Sequence, residues 1–293
     1  MWKLLQIELY KIFKRPRTYI PFAAIFAMIL IIQLGLKFDG KSYLLLLLSS
    51  LSDSFYVPYA MILNGYLVAF VILNTLLIQV PLLVALVAGD MVAGEANMGT
   101  LRLLITRPVS RTRLMLVKFG ASVIYTVLLL IWMALLALFL SMWLFGTNDM
   151  LIARSNVMEQ IGRADVLWRY IAAFGYASVA LSTVAALAFL LSVFAENSIG
   201  PIVSTISIVI VLTILSEMKI PIYDNTVKPW LFTSHMLAWK GFFYSRSNGE
   251  GAAIPGSVEN LPAILRSLGV LLAYIAGFVT TAIWVFNKKD ILS

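Results

Sequence analysis

The residues best placed by type and spacing to do chemistry are "GLKFDGKS", Gly35 to Ser42, which match the nucleotide-binding pattern G-x-x-x-x-G-K-[ST]. In that motif backbone N–H groups cradle phosphates, the Lys reaches the β and γ oxygens, and the Ser or Thr holds magnesium. The pattern works only between a strand and a helix. Here "AAIFAMILIIQL" precedes it and reads as a membrane helix, and Phe38 puts a ring where the loop must approach phosphate closely. No later run resembles a Walker B segment or an LSGGQ signature, so the match reads as a glycine-containing turn with a snorkelling lysine. Other catalytic patterns are missing too: there is no H-E-x-x-H and no G-x-S-x-G. His235, the sole histidine, has no second His or Cys near it, so no metal is expected. Asp90 in "VAGDMVAGE" is the nearest thing to an intramembrane acid, but it falls at the end of an apolar run without a sequence partner.

Composition explains why chemistry is scarce. The chain is 61% hydrophobic and 12% charged, with a mean hydropathy of +0.94, whereas soluble domains run at about 45–50% apolar and about 25% charged. It reads as an all-α polytopic membrane protein with no polar block large enough for a separate globular domain. The absence of Cys excludes disulfides, thiol catalysis, Cys-ligated metal and prenylation. The net charge of +8 reports topology and lipid headgroups before nucleic acid. A basic stretch precedes the first apolar run, as in a signal peptide. That run is too long for a usual h-region and no A-x-A site follows, so it reads as a retained span.

Six stretches have the roughly 20 apolar residues a span needs: about 19–36, 60–88, 116–145, 170–194, 199–215 and 264–286. "YLLLLLSSL", Tyr43 to Leu51, is too short to cross and reads as an interfacial or packed extension before the second span. With both termini inside, the inner segments hold 12 of the 22 basic and 5 of the 14 acidic residues, or +7. The outer segments hold the other 10 and 9, or +1. The inner cations cluster at span ends, where the positive-inside rule acts, so N-in/C-in is the preferred orientation.

Two inner segments carry information. The first 18 residues place Trp2, Leu5, Leu9, Ile12 and Phe13 at helical spacing among Lys3, Lys11, Lys14 and Arg15. This predicts an amphipathic elbow helix with its apolar face in the acyl boundary, broken by Pro16. The second is "GEANMGTLRLLITRPVSRTRLMLVK", Gly94 to Lys118. It predicts a short amphipathic helix with Leu101, Leu104 and Ile105 on one side, ended at Arg107-Pro108. Ser110 then caps the third span.

That second segment resembles the one between the second and third spans of ABC-2 type transporter permeases. Glu95, Gly99, Thr100, Leu101, Leu103, Leu104, Pro108, Val109, Ser110, Arg111 and Lys118 fall in register with the family pattern, and the tail "FNKKDIL" resembles the family's ending. In the family this segment is the coupling helix, which docks on a separate ATP-binding subunit. The resemblance implies that Gly99–Ile105 is the docking helix. It also makes Arg102, Arg107, Arg111 and Arg113 candidates for ionic contact with the ATPase or with lipid phosphate, although the positive-inside preference accounts for each of them singly. Glu95 would sit at the helix start, favoured by the macrodipole and able to pair with one of those arginines. The implied protein is a permease subunit of an ATP-driven exporter in the bacterial cytoplasmic membrane. It would not itself be an enzyme: ATP and Mg would sit on the partner ATPase, and a second permease copy or relative would complete the path. The alternatives are a membrane scaffold or mechanotransmitting component without bulk transport, and an intramembrane enzyme acting through Asp90.

Within the spans, Gln33, Asn64, Asn74, Thr75 and Gln79 could line a substrate path or make interhelical hydrogen bonds. Ser178, Ser182 and Ala186 form a small-residue ladder for close helix packing. No charge falls deep inside a span. The long outer segment Glu217–Pro262 carries Trp230, Phe232, Trp239, Phe242 and Phe243, which read as an interfacial aromatic belt, with a re-entrant or lid helix as an alternative.

Overall fold

The computed structural model describes residues 1–48, 63–76, 78–100, 109–154, 157–218, 226–246 and 254–289. Helix α1 (Trp2–Lys14) stops where Arg15 turns extended ahead of Pro16. A single 3-10 turn, Pro16–Tyr19, then feeds α2 (Ile20–Leu48). Helix α2 runs through Gly35–Ser42, and its one non-helical residue is Asp39 (φ −131°, ψ 25°). "GLKFDGKS" is therefore a kinked helix, not a turn, and a helix precedes it where a phosphate loop needs a strand. Residues 43–48, expected as an interfacial or packed extension before the second span, continue helix α2 instead; 49–51 lie outside the described residues.

The next apolar stretch is α3 (Gly65–Thr75) and α4 (Gln79–Ala88), bent by 56° at their junction, followed by α5 (Asp90–Asn97). Helix α6 (Arg111–Ala134) passes through a π-turn, Leu135–Leu140, into α7 (Ser141–Phe145). After a hairpin come α8 (Arg163–Phe194), α9 (Ile199–Glu217), the short α10 (Phe232–Met236) and α11 (Leu261–Lys288). Five of these helical stretches are long and apolar enough to cross a membrane, or six if the bent α3–α4 pair is one span.

One element departs from the all-α expectation. Strands β1 (Met150–Arg154) and β2 (Val157–Ile161) pair antiparallel with Met150 opposite Ile161. Alternation is the reason: Met150, Ile152 and Ile161 are buried on the inner face.

Helix α8 is the centre of the bundle, packed against α4, α6, α9 and α11. Its Ala180, Ser182, Ala185, Ala186 and Ala188 are buried, and these small side chains let neighbouring helices approach closely. Where the π-turn frees a carbonyl, Gln33 Nε2 of α2 donates to Leu136 O (3.1 Å) and to Ser141 Oγ (2.9 Å). The start of α3 abuts the same place, with Gly65 N–H donating to Gly146 O (2.9 Å).

The outer aromatic group is not a belt. Phe232, Trp239 and Phe243 are buried, and Trp230 alone of the expected five is strongly exposed. Phe243 stacks edge-on with Phe70 (5.2 Å) and Tyr170 (4.8 Å), so this segment plugs one end of the bundle. The fully buried Arg169 of α8 fastens it, pairing with Asp165 (2.6 Å) and donating to Phe242 O (2.7 Å) and Ser257 O (2.8 Å).

A Cβ on Gly65 would come 2.5 Å from Met142 Cα, which cannot swing away. Gly65→Ala is expected to lower unfolding stability in detergent by about 1–3 kcal/mol. Gly35→Ala, in open space on a helix, should be neutral or stabilising by up to roughly 1 kcal/mol.

Candidate functional site: a charge cluster at the basic end of the bundle

Helix α1, helix α5, the start of α6, the α8–α9 junction and the end of α11 meet at one end of the bundle. Four charged side chains close a ring there. Glu8 lies 2.7 Å from Lys11 and 3.0 Å from Lys118, and Glu95 lies 2.9 Å from Lys11 and 2.6 Å from Lys118. Charges alternate around the ring, so each ion has two neighbours of opposite sign. Lys118 is 1% exposed and also donates to Met91 O (3.3 Å). An ammonium this deep is costly unless paired and hydrogen-bonded, and the two carboxylates and the carbonyl supply that.

The ring decides how α1 lies. Glu8 shares the face of Leu5, Leu9 and Ile12, and burying that face carries its carboxylate to Lys118. Ile12 is buried, and Leu5, Leu9 and Phe13 pack against the core. The apolar face of α1 is thus spent on the protein, not on the acyl boundary as expected; Trp2, Ile7 and Tyr10 are the large apolar side chains of α1 left exposed. Burial pushes the Glu8 carboxyl up, but Lys118 and Lys11 outweigh it and hold the pKa below the ordinary value. Burial lowers the Lys11 ammonium, and Glu8 and Glu95 more than offset this, raising it.

A second group adjoins the ring. Asp90 Oδ2 accepts from Arg15 Nη1 (2.5 Å) and from Arg17 Nη2, while Oδ1 accepts from Ser198 Oγ. Asp90 is therefore not the partnerless acid of the sequence reading: three groups from the α1–α2 junction and the head of α9 converge on it. Gly94 makes room for it, since a Cβ there would fall 2.3 Å from Asp90 Oδ1. Ser192 of α8 accepts from Val92 N–H (3.1 Å) and Ala93 N–H (2.8 Å), satisfying donors in the first turn of α5. A small, partly open space of about 30 Å³ lies among Glu8, Lys11, Arg15, Asp90 and Glu95, too small for an organic ligand.

The carboxyl-terminal ends of α8 and α11 are tied in by cations. Arg111 Nη1 donates to Phe286 O (3.4 Å), Asn287 O (3.2 Å) and Lys289 O (3.0 Å), and Lys289 Nζ donates to Val193 O (3.0 Å). Cations belong where helix carbonyls end.

Several expectations change in this light. Glu95 sits in the last turn of α5, not at a helix start, and its partners are lysines rather than arginines. Arg111 faces inward as a helix cap, because the exposed carbonyls of α11 lie beside it. Ser110 caps α6 as expected, accepting from Arg113 N–H (3.4 Å). Gly99 has φ +68°, and Thr100 donates to Glu95 O (3.3 Å). Leu101, Leu103 and Leu104, with Arg102, Ile105, Arg107 and Pro108, lie outside the described residues.

Of the polar span residues, Asn64 caps α3, accepting from Leu67 N–H (2.9 Å) and donating to Asp149 O (2.7 Å). Asn74 and Thr75 bond carbonyls of their own helix, Phe70 O (3.0 Å) and Val71 O (2.9 Å). Gln79 Oε1 and Gln33 Oε1 are buried without a partner. His235 is held by Ser267 Oγ and Pro229 O, both at 3.0 Å, and among the described residues no three His, Cys, Asp or Glu side chains gather as a metal site would require.

The helices and their composition define a multi-pass membrane protein. Residues 24–292 match the family described as "Protein of unknown function (DUF2705)", and the chain belongs to that family. A stretch of 116 residues, 39% of this chain, is 28% identical to the uncharacterized protein YhcI of Bacillus subtilis (strain 168). The match spans 37% of that relative's length.

Glu8, with its lowered pKa, stabilises fully above its unfolded value and loses that contribution as pH falls through the folded one. Lys11, raised, contributes fully below its unfolded value and loses this as pH rises through the folded one. The unfolding midpoint in detergent should therefore be flat between roughly pH 5 and pH 10 with respect to these groups and fall on either side. Glu8→Gln should remove much of the acid limb. Gly94→Ala should destabilise at neutral pH by displacing Asp90, and Asp90→Asn should make that second change milder.

Proposed function

We propose that the chain is the permease subunit of an ATP-driven exporter of the ABC-2 type. In this reading a separate ATP-binding subunit, with its Mg, docks on the segment that follows α5, and a second permease copy or relative completes the path. The observation that carries the reading is the place of Glu95. This residue opens the permease-like run "EANMGTLRLLITRPVSR", and its carboxylate is a corner of the buried ring joining α1, α5 and α6. A push delivered to the chain beyond Asn97 would therefore act on the first, second and third apolar stretches together. Asp90 extends the reach to α9 through Ser198, and Arg111 extends it to α11.

The positive-inside rule favours placing the basic end in the cytoplasm, where ATP is available. Six spans with the bent α3–α4 pair as the second, both termini inside, and a bacterial cytoplasmic membrane follow from the same reading. The break in the second stretch falls midway along it, and the π-turn in the third falls toward the opposite end. Bends and π-turns are common where membrane helices move or line cavities, which fits a rigid driven end and a pliable outer half.

A tagged chain expressed in its own host should co-purify with an ATP-hydrolysing subunit. Gly99→Pro should abolish that association, because proline cannot adopt the positive φ found there, while the unfolding midpoint of the purified chain stays near that of the parent. Purification without any ATPase, or an unchanged association in Gly99→Pro, would contradict the proposal.

A further inference from the structure

Beside the Asp90 group an open cleft of about 470 Å³ is lined by Arg15, Arg17, Gly94, Asn97, Met98 and Ser198. Its charge is unbalanced. Arg15 and Arg17 share one carboxylate oxygen of Asp90, which leaves a net positive charge facing the space. Neither guanidinium is sealed: the Arg15 side chain is 28% exposed and that of Arg17 is 42%. A guanidinium presents five donors in a planar fork, and the single bonds to Asp90 leave donors on both arginines for a second anion.

The position of the cleft says what kind of anion fits. Arg17 and Ser198 bond the same carboxylate, so the first turn of the first stretch and the head of α9 begin side by side at its rim. From that rim Tyr19 and Ile20 run up one helix and Ile199 and Val203 up the other, all strongly exposed and apolar. A free phosphate ion would use the arginines but not these side chains. A phospholipid would use both, with its phosphate at the guanidiniums and its acyl chains along the two exposed helix faces.

We infer that this cleft binds the phosphate-bearing headgroup of an anionic phospholipid. The bound lipid bridges the α1–α2 junction, α5 and the head of α9, and so adds to the same end of the bundle that the charge ring holds. The inference is independent of any ATPase partner and concerns the chain alone.

The test is reconstitution of the full chain into nanodiscs of pure phosphatidylcholine or of phosphatidylcholine with phosphatidylglycerol. Two readouts serve: lipid retained on extraction, by native mass spectrometry, and the unfolding midpoint. Phosphatidylglycerol should be retained selectively and raise the midpoint. Arg17→Gln leaves Asp90 paired with Arg15 and Ser198, and it should weaken retention about fivefold, the worth of one basic residue near a charged surface. Asn97→Glu is an exposed rim change that touches no charge pair, and it should weaken retention similarly. Equal retention of the two lipids, or retention by both variants equal to that of the parent, would overturn the inference. A stabilisation by inorganic phosphate as large as that by phosphatidylglycerol would overturn the assignment to lipid.

Discussion

The structure depends on finding partners for one buried cation. Lys118 lies in the third turn of α6 with its ammonium almost sealed from solvent, and an unpaired charge there would not be tolerated. Two carboxylates meet it, Glu8 from α1 and Glu95 from α5, and Lys11 closes the ring by neutralising their far sides. The alternation matters more than the number of pairs. Replacing a buried ion group wholesale with apolar residues can be neutral, but removing one member leaves the others buried and uncompensated, at about 3–5 kcal/mol. The cluster is thus a specificity device: it fixes which face α1 presents to α6 and where α5 ends.

From that constraint the architecture of the basic end follows. Helix α1 lies on the protein because Glu8 must reach Lys118. The chain then turns at Arg15 and Pro16, which brings Arg15 and Arg17 to Asp90. Asp90 collects Ser198, so α9 starts against α5. Arg111, seven residues before Lys118 on the same helix, holds the carbonyls that end α11. With α8 joined through Ser192 and Val193, six helical elements are therefore fastened at one end by directional polar contacts. The opposite end is held by packing, by the Arg169 fastening and by the hairpin; the π-turn lies toward it, and the bend falls midway along the second stretch.

Much of this was legible in the sequence, and the rest was hidden for identifiable reasons. Apolar runs of span length located the long helices, because hydropathy records a solvent requirement that tertiary packing does not override. Ser110 was readable as a cap because its signal is local. Helix α2 overran its expected end since nothing in "GLKFDGKS" prohibits a helix; glycine and aspartate weaken one without breaking it. The hairpin was missed because an alternation five residues long is a weak signal between two strong helices. Apart from Glu8–Lys11 and Glu95–Lys118, the polar pairs of the ring and the Asp90 group join residues 73 to 110 positions apart, and no single-sequence pattern reports such a distance. One clue was present. Glu8 interrupts the apolar face of α1 at helical spacing, and a carboxylate on a buried face needs a cation from elsewhere. Read that way, Lys118 would have been sought as its partner, not only as a mark of topology.

The most direct test of the account is a double-mutant cycle on the ring, with Glu95→Gln, Lys118→Met and the two combined, read as unfolding free energies in detergent. If the ring acts as one unit, either change alone strands its partner, and the double variant is less destabilised than the sum by about 1–3 kcal/mol. Additivity within about 0.5 kcal/mol would mean the two side chains do not depend on each other, and the account of the basic end would be wrong.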